Sequence, residues 1–287
     1  MIDTPIRALA EKVNGDDYEL SSLAPPDPQS VERMQKMLRF FSRYLRAELR
    51  GAEHLPTGPV LMVGNHATWG IDSLGLWPLI REQTGRIPRT LGERALFNTS
   101  VGSTFAARLG MVPGTRENAL RLLAEGELCL CYPGGELDSF KPWHRRHELQ
   151  WESGAGYLRV ALKAGLPIHT LAAIGADDAY PVLFRDPFVG KLITGRDRYR
   201  FPIFATPFGP SIMPLLPFRV RVRCEIGEGI ELNAPASLAD APPDDPELMA
   251  LHHRVQRIFQ QRIDDLAARY PDVARQRLAS LIRRFVE

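Results

Sequence analysis

Two residues six apart, His66 and Asp72, lie in the run Gly64-Asn65-His66-Ala67-Thr68-Trp69-Gly70-Ile71-Asp72 and are of types that move protons. An imidazole accepts a proton from a hydroxyl near neutral pH. A carboxylate bonded to its other nitrogen fixes the tautomer and steadies the imidazolium. Spacing restricts how the two can meet: on one continuous helix, six steps of about 100° turn through roughly 600°, which separates them. They meet only if His66 lies in a turn ahead of a helix beginning near Ile71, and Gly70 supplies the backbone freedom for that turn. The chain offers no nucleophile to accompany such a base. Trp151-Glu152-Ser153-Gly154 lacks the first glycine of a serine elbow, and no cysteine stands in an activating setting. A base of this kind deprotonates a nucleophile brought by the substrate.

The elements that must hold the pair are legible in the patterning. Pro59-Val60-Leu61-Met62-Val63 reads as a buried strand delivering His66 at its end, and a helix over about 71–81 carries Asp72. A helix over about 117–124 precedes a strand over 128–132. Another over 157–164 stops at Gly165 and gives way to a strand over 167–174. That alternation predicts an α/β fold, a mostly parallel central sheet flanked by helices. Ahead of it come a polar leader over 1–30 and a helix over 31–50. In that helix Met34, Met37, Leu38, Phe41, Tyr44, Leu45 and Leu49 recur at steps of three and four, while Arg33, Lys36, Arg39, Arg43 and Arg46 largely take the remaining surface. Such a cationic amphipathic helix either lies among lipid headgroups or packs on the core with its basic side solvated, and both readings stay open. Residues 181–218, with six phenylalanines and seven prolines, predict an irregular segment that covers the core, lines an apolar channel or dips into lipid. Strand alternation returns over 219–226, and after a proline-rich linker two helices, about 247–269 and 272–286, close the chain. The expected division is a leader and amphipathic helix (1–50), an α/β domain (51–235) and a C-terminal helical appendage (247–287).

Composition narrows the partners. Thirty-six basic and 34 acidic residues leave a net charge of +2, too balanced to argue for nucleic acid. Five lysines stand against 31 arginines, a bias that suits anionic headgroups or reflects the composition of the genome. Cys129, Cys131 and Cys224 lack paired or metal-ligand spacing and read as buried, inert thiols. No window approaches the roughly 18 apolar residues of a spanning helix. The first residues lack the layout of a signal peptide. The expectation is a cytoplasmic protein that meets a membrane peripherally, on its cytoplasmic face. His144 and His147 read as part of a solvated basic loop and His169 as a core histidine, so no metal and no bound cofactor are expected.

The stretch around His66 resembles the His-x-x-x-x-Asp block of the glycerolipid and lysophospholipid acyltransferase family, in the monoacylglycerol-acyltransferase-like branch with one extra residue between the two. Leu109-Gly110-Met111-Val112-Pro113-Gly114-Thr115-Arg116 resembles the second block, Cys131-Tyr132-Pro133-Gly134-Gly135-Glu136 the third, and Gly165-Leu166-Pro167-Ile168 the fourth. Four blocks in order over about residues 50–182 are far more specific than one. The resemblance implies acyl-CoA or acyl-carrier protein as donor, a lipid acceptor, and direct transfer with His66 and Asp72 catalytic. It also implies acceptor binding by Arg116 and the turn Gly134, Gly135 and Glu136. Surface pairing of Arg116 with Glu117 or Asp138 is the plainer alternative.

Departures from the pattern bear on the acceptor. Gly134 replaces the usual glutamate, Gly134-Gly135 is expected to leave open space, and Leu137-Asp138-Ser139 stands where an arginine often follows. A dianionic phosphate needs converging cations to replace its hydration, so a neutral or weakly charged acceptor such as a mono- or diacylglycerol is favoured over lysophosphatidate. A lipid hydrolase using the same pair on water, and a non-catalytic lipid-binding protein, are the competing readings.

Overall fold

The computed structural model describes residues 23–274, apart from 99, 152–153, 195–199, 207–208 and 213–215. Strands β1 (Glu48–Arg50), β2 (Val60–Gly64), β3 (Pro88–Gly92), β4 (Val112–Pro113), β5 (Leu128–Cys131) and β6 (Ile168–Ile174) belong to a seven-stranded sheet. A separate three-stranded sheet follows, formed by β7 (Val182–Asp186), β8 (Phe201–Thr206) and β9 (Gly209–Ser211). The chain then returns to the main sheet as β10 (Arg223–Ile226), giving the order β1-β10-β6-β2-β5-β3-β4. Every pairing in the main sheet is parallel except that of β10 with β6. The mostly parallel sheet expected from the sequence is present.

β2 lies in the middle and is buried along its whole length. Its side chains alternate between two cores, as the period of a strand demands. Val60 and Met62 pack on one face with Leu45, Leu76 and Ile80; Leu61 and Val63 pack on the other with Leu122, Leu158, Val255 and Phe259. The helices α1 (Pro28–Tyr44) and α2 (Ile71–Thr84) cover the first face. After α3 (Arg94–Phe97) and α4 (Ser100–Leu109), the second face is covered by α5 (Arg116–Ala124) and, beyond the short α6 (Gly135–Ser139), by α7 (Gly156–Ala164). Helix α8 (Pro187–Thr194) lies within the small-sheet segment. Helix α9 (Pro246–Arg269) completes the second face, and α10 (Pro271–Ala274) follows it. Each large apolar side chain buried in this way contributes about 1.5–3 kcal/mol.

Several boundaries differ from expectation. Helix α1 ends at Tyr44, Arg46 takes a left-handed φ of 43°, and Glu48–Arg50 leaves the helix to pair as an edge strand with β10. The sheet therefore begins before residue 51. Helix α9 packs on the domain as a layer of its core: Leu248, Leu251, Val255, Phe259, Ile263 and Leu266 recur along one buried face, and Asp245 caps its start. The segment over 181–218 holds a small sheet and a helix in place of an irregular cover. Helix α1 packs Val31, Met34 and Leu38 against Trp77 and Leu109, so its inner face belongs to the core. Its outer face exposes Arg33, Lys36, Arg39 and Arg43 together with Met37 and Phe40, the latter 75% exposed. The leader expected over 1–30 lies mostly outside the described residues, as does most of the second C-terminal helix. Among the described residues no helix is long and apolar enough to cross a membrane.

Candidate active site

The ladder of β2 ends at Val63, opposite Cys131 of β5, and at Gly64, opposite Leu171 of β6. Beyond that point the chain is held by side chains. Asn65 locks onto Ala173: its amide nitrogen donates to the Ala173 carbonyl and its amide oxygen accepts the Ala173 N–H, both at 2.8 Å. The His66 N–H donates to Asp138 Oδ2 at 2.7 Å, and Lys141 Nζ donates to the His66 carbonyl at 2.7 Å. Ser139 Oγ donates to the Ala67 carbonyl, and Thr68 Oγ1 donates to the Ser139 carbonyl. Trp69 and Gly70 then both adopt left-handed backbone, with φ of 59° and 68°, and Gly70 caps the start of α2. This reversal brings Asp72, in the first turn of α2, back over the histidine.

Asp72 Oδ2 lies 3.2 Å from His66 Nδ1, and Asp72 Oδ1 accepts the Ala67 N–H at 3.2 Å. The two residues meet through the turn that the spacing required. Asp72 is 1% exposed, whereas the His66 side chain keeps 20% of its surface open. Tyr132 stacks on the imidazole with ring centres 4.2 Å apart, and Ser73 Oγ donates to the Tyr132 hydroxyl at 2.6 Å. A glycine is needed at position 64, because a Cβ there would stand 2.6 Å from the Tyr132 ring. Burial works against a charge on His66, but the Asp72 carboxylate outweighs it, with help from Asp138 and against Lys141. The imidazole is held above the ordinary histidine value. With Nδ1 engaged by Asp72, Nε2 is the nitrogen left to take a proton from a hydroxyl.

Behind His66 lies a buried ionic cluster. Lys141 Nζ also reaches the Asp138 carbonyl at 2.9 Å, Asp138 Oδ1 at 3.2 Å and Asp177 Oδ1 at 3.6 Å. Burial lifts the Asp177 carboxyl to about 7 in spite of that lysine. Nearby, Asp178 accepts from the Trp143 indole at 2.6 Å.

The other site residues read from the sequence divide. The Pro133-Gly134-Gly135 turn and α6 adjoin His66 through Asp138 and Ser139. Gly134 does not leave open space: a Cβ there would stand 2.4 Å from Asp138 Cβ and 2.7 Å from Trp151 Cδ1. Gly135 has room around it and a φ of 48°. Glu136 forms an ion pair with Arg185 of β7, tying the turn to the small sheet. Arg116 opens α5, is exposed, and borders a surface depression with Arg159 and Asp240. Among the described residues no hydrogen bond joins it to His66 or Asp72. His169 is buried and bonded to the Gly227 carbonyl. His147 is part-buried rather than solvated, and burial holds it down at about 4. All three cysteines are buried, with Cys131 pushed up to about 12 by burial.

Sequence reasoning assigned no role to Tyr132 or Lys141 and offered Asp138 only as a surface partner of Arg116; Asp138 is instead wholly buried. Lys141 stands out in the sequence only as one of five lysines against 31 arginines, three residues beyond an aspartate.

The family model described as Acyltransferase matches residues 46–174, which takes in His66, Asp72 and the Tyr132 turn. An uncharacterised protein of Mycobacterium tuberculosis is 30% identical over 269 residues, covering 91% of this chain and 72% of its own. Phytyl ester synthase 2, chloroplastic, of Arabidopsis thaliana is 29% identical over 138 residues, 45% of this chain and 20% of its own. The crystal structure of the 1-acyl-sn-glycerophosphate acyltransferase PlsC from Thermotoga maritima superposes with a TM-score of 0.52 at 15% identity. It covers 92% of this chain and 87% of that one, a likeness of fold.

Proposed function

The chain belongs to the Acyltransferase family, and on that premise we propose that it moves a fatty-acyl group from a thioester donor, acyl-CoA or acyl-carrier protein, to the hydroxyl of a lipid alcohol. The observation that carries this reading is the 3.2 Å contact between buried Asp72 and part-exposed His66 at the end of β2. In the step, His66 Nε2 takes the hydroxyl proton as the alcohol oxygen attacks the thioester carbonyl carbon. The tetrahedral intermediate expels the thiolate as its C–S bond breaks, and the imidazolium returns the proton to sulfur. Asp72 holds the tautomer that leaves Nε2 free and offsets the charge on the ring.

For the acceptor we favour a neutral lipid alcohol, a mono- or diacylglycerol or a long-chain alcohol. Lys141 behind His66 is engaged in the buried cluster, and Arg185, which reaches the Gly134-Gly135 turn, is engaged by Glu136. A relative named for phytyl esters works on an alcohol that carries no phosphate. The outer face of α1, with Arg33, Lys36, Arg39 and Arg43 around Met37 and Phe40, fits a peripheral seat on an anionic membrane surface, on the cytoplasmic side.

The test is product analysis with the purified chain, acyl-CoA and a panel of alcohols. Ester formed on a neutral acceptor and lost in a folded His66→Ala variant is the expected result. Acyl release at full rate without any acceptor supports the hydrolase instead, and a strong preference for lysophosphatidate that disappears in Arg116→Ala overturns the choice of acceptor alone.

A further inference from the structure

We propose that Asp138 and Lys141 are positioning residues for His66, a two-sided clamp on its peptide groups that fixes where the imidazole stands. The clamp matters for catalysis only if His66 is the base, and its physical origin is the need to satisfy two backbone groups. The last β2 residues paired in the ladder are Val63, with Cys131, and Gly64, with Leu171. Two residues further on, the N–H and C=O of His66 are beyond the strand partners and must be satisfied otherwise. The structure satisfies both with charge: Asp138 Oδ2 on the N–H at 2.7 Å and Lys141 Nζ on the carbonyl at 2.7 Å.

An ion pair so deeply buried is a poor source of stability, because desolvating two charges offsets most of their attraction. Both side chains are nonetheless almost wholly inaccessible, Asp138 at 0% and Lys141 at 1%. Their remaining bonding capacity closes the clamp on itself. Lys141 Nζ donates to the Asp138 carbonyl and Oδ1, and Oδ1 also accepts the Gln150 N–H at 3.2 Å. Charge-assisted bonds of this kind are shorter and stronger than bonds between neutral groups. They set the Cα of His66 while Asp72 sets the ring, which leaves Nε2 little freedom. The groups facing the ring are Asp72 at Nδ1 and Tyr132 on its face. Asp138 and Lys141 act from behind, with Asp177 beyond them.

The clamp also acts on the ring through its charges, in opposite directions. Asp138 favours the imidazolium and Lys141 disfavours it. Removing the anion and removing the cation must therefore move the histidine titration opposite ways, which loss of packing alone does not do.

The experiment uses the full chain with Lys141→Met, Lys141→Gln and Asp138→Asn, reading acyl transfer at saturating donor and acceptor. In parallel, the His66 Cε1–H resonance is titrated by NMR. The expected loss in kcat is about 10- to 100-fold, the scale of a catalytic group misplaced by about 1 Å, with the donor KM within about twofold. The His66 titration and the acidic limb of the pH–rate profile should move up in Lys141→Met and down in Asp138→Asn. In a His66→Ala background, Lys141→Met should add no further loss. A folded Lys141→Met protein with wild-type kcat and an unmoved His66 titration overturns the clamp. Where Lys141→Met fails to fold, isosteric Asp138→Asn is read by the same two measurements, and wild-type kcat with an unmoved titration there overturns the clamp equally. Absence of acyl transfer by the wild-type chain counts against the proposed reaction, whereas the NMR titrations judge the clamp by themselves.

Discussion

Replacing Asp72 with asparagine tests the orienting role in the least disruptive way, since the side chain keeps its shape in a site that is 1% exposed. The carboxylate accepts the Ala67 N–H at Oδ1 and faces His66 Nδ1 with Oδ2, each at 3.2 Å. An amide offers one acceptor and one donor. If its nitrogen faced Ala67, two buried N–H groups would oppose each other, at a cost of about 1–3 kcal/mol for the one left unsatisfied. The amide oxygen therefore stays on Ala67 and the amide nitrogen donates to Nδ1. That holds the imidazole proton on Nε2, the nitrogen that has to be bare to act as a base. Locking the wrong tautomer in a hydrolase triad costs about 10⁴-fold, or about 5.5 kcal/mol of transition-state stabilisation. The same order is expected here in kcat, with little change in KM because Asp72 is buried against Nδ1, the nitrogen away from the reacting one. With its main counter-charge gone and burial and Lys141 still opposing the imidazolium, His66 should also titrate lower than in the wild type. The assay is acyl transfer under saturating substrates alongside an NMR titration of His66. A folded Asp72→Asn protein retaining more than about one tenth of wild-type kcat would falsify the orienting role.

Other perturbations follow from the same geometry. The proposed mechanism needs neutral His66, and the folded protein holds its proton more tightly than the ordinary value of 6.5, so kcat/KM should rise with pH on a limb centred above 6.5. By linkage, the raised value means that charged His66 stabilises the folded state below pH 6.5, an advantage lost as pH climbs through the folded value. Urea midpoints against pH test that sign, and an activity limb centred below 6.5 overturns it. Changing Arg33, Lys36 and Arg43 to glutamine removes about 1 kcal/mol of attraction each, roughly 100-fold together in partition onto anionic vesicles at low salt. Unchanged sedimentation would return the outer face of α1 to a solvated role. Gly134→Ala drives a methyl group to 2.4 Å from Asp138 Cβ, an overpacking worth about 1–3 kcal/mol. Gly135→Ala has room for its methyl group and strains only the backbone, so thermal unfolding should separate the two.

What the sequence discloses here is mostly local. His66 and Asp72 are legible because a buried strand, a turn with Gly70 and a helix start lie within a dozen residues, and the arithmetic of the helix leaves one way for them to meet. The mostly parallel sheet follows from strands and helices that alternate at ordinary lengths. Asp138 and Lys141 are hidden because their contacts with His66 span 72 and 75 residues, a distance over which local pattern carries nothing. Prolines misdirect the reading of 181–218. Pro202 lies in β8, the middle strand of the small sheet, yet β9 pairs only with Phe204, Ala205 and Thr206, so that neighbour does not reach the proline. On its other side Pro202 stands opposite Arg185 of β7. Arg116 stands differently: its role came from resemblance alone, and its place at the exposed start of α5 supplies no contact with the pair.

The buried thiols turn the sheet into its own gauge of opening. Cys129 and Cys131 lie on β5 beside the central strand, and Cys224 lies on β10 between the edge strand β1 and β6. No other cysteines occur in the chain. Burial raises all three, Cys131 to about 12, so a thiol reagent at neutral pH meets neither an accessible nor an ionised sulfur in the folded state. Alkylation then proceeds only through opening of the strands that carry them. In a denaturant series read by peptide mass, label appearing on Cys224 before Cys129 and Cys131 would report that β1 and β10 peel away first. Simultaneous labelling would report a sheet that opens as one unit, without any engineered probe.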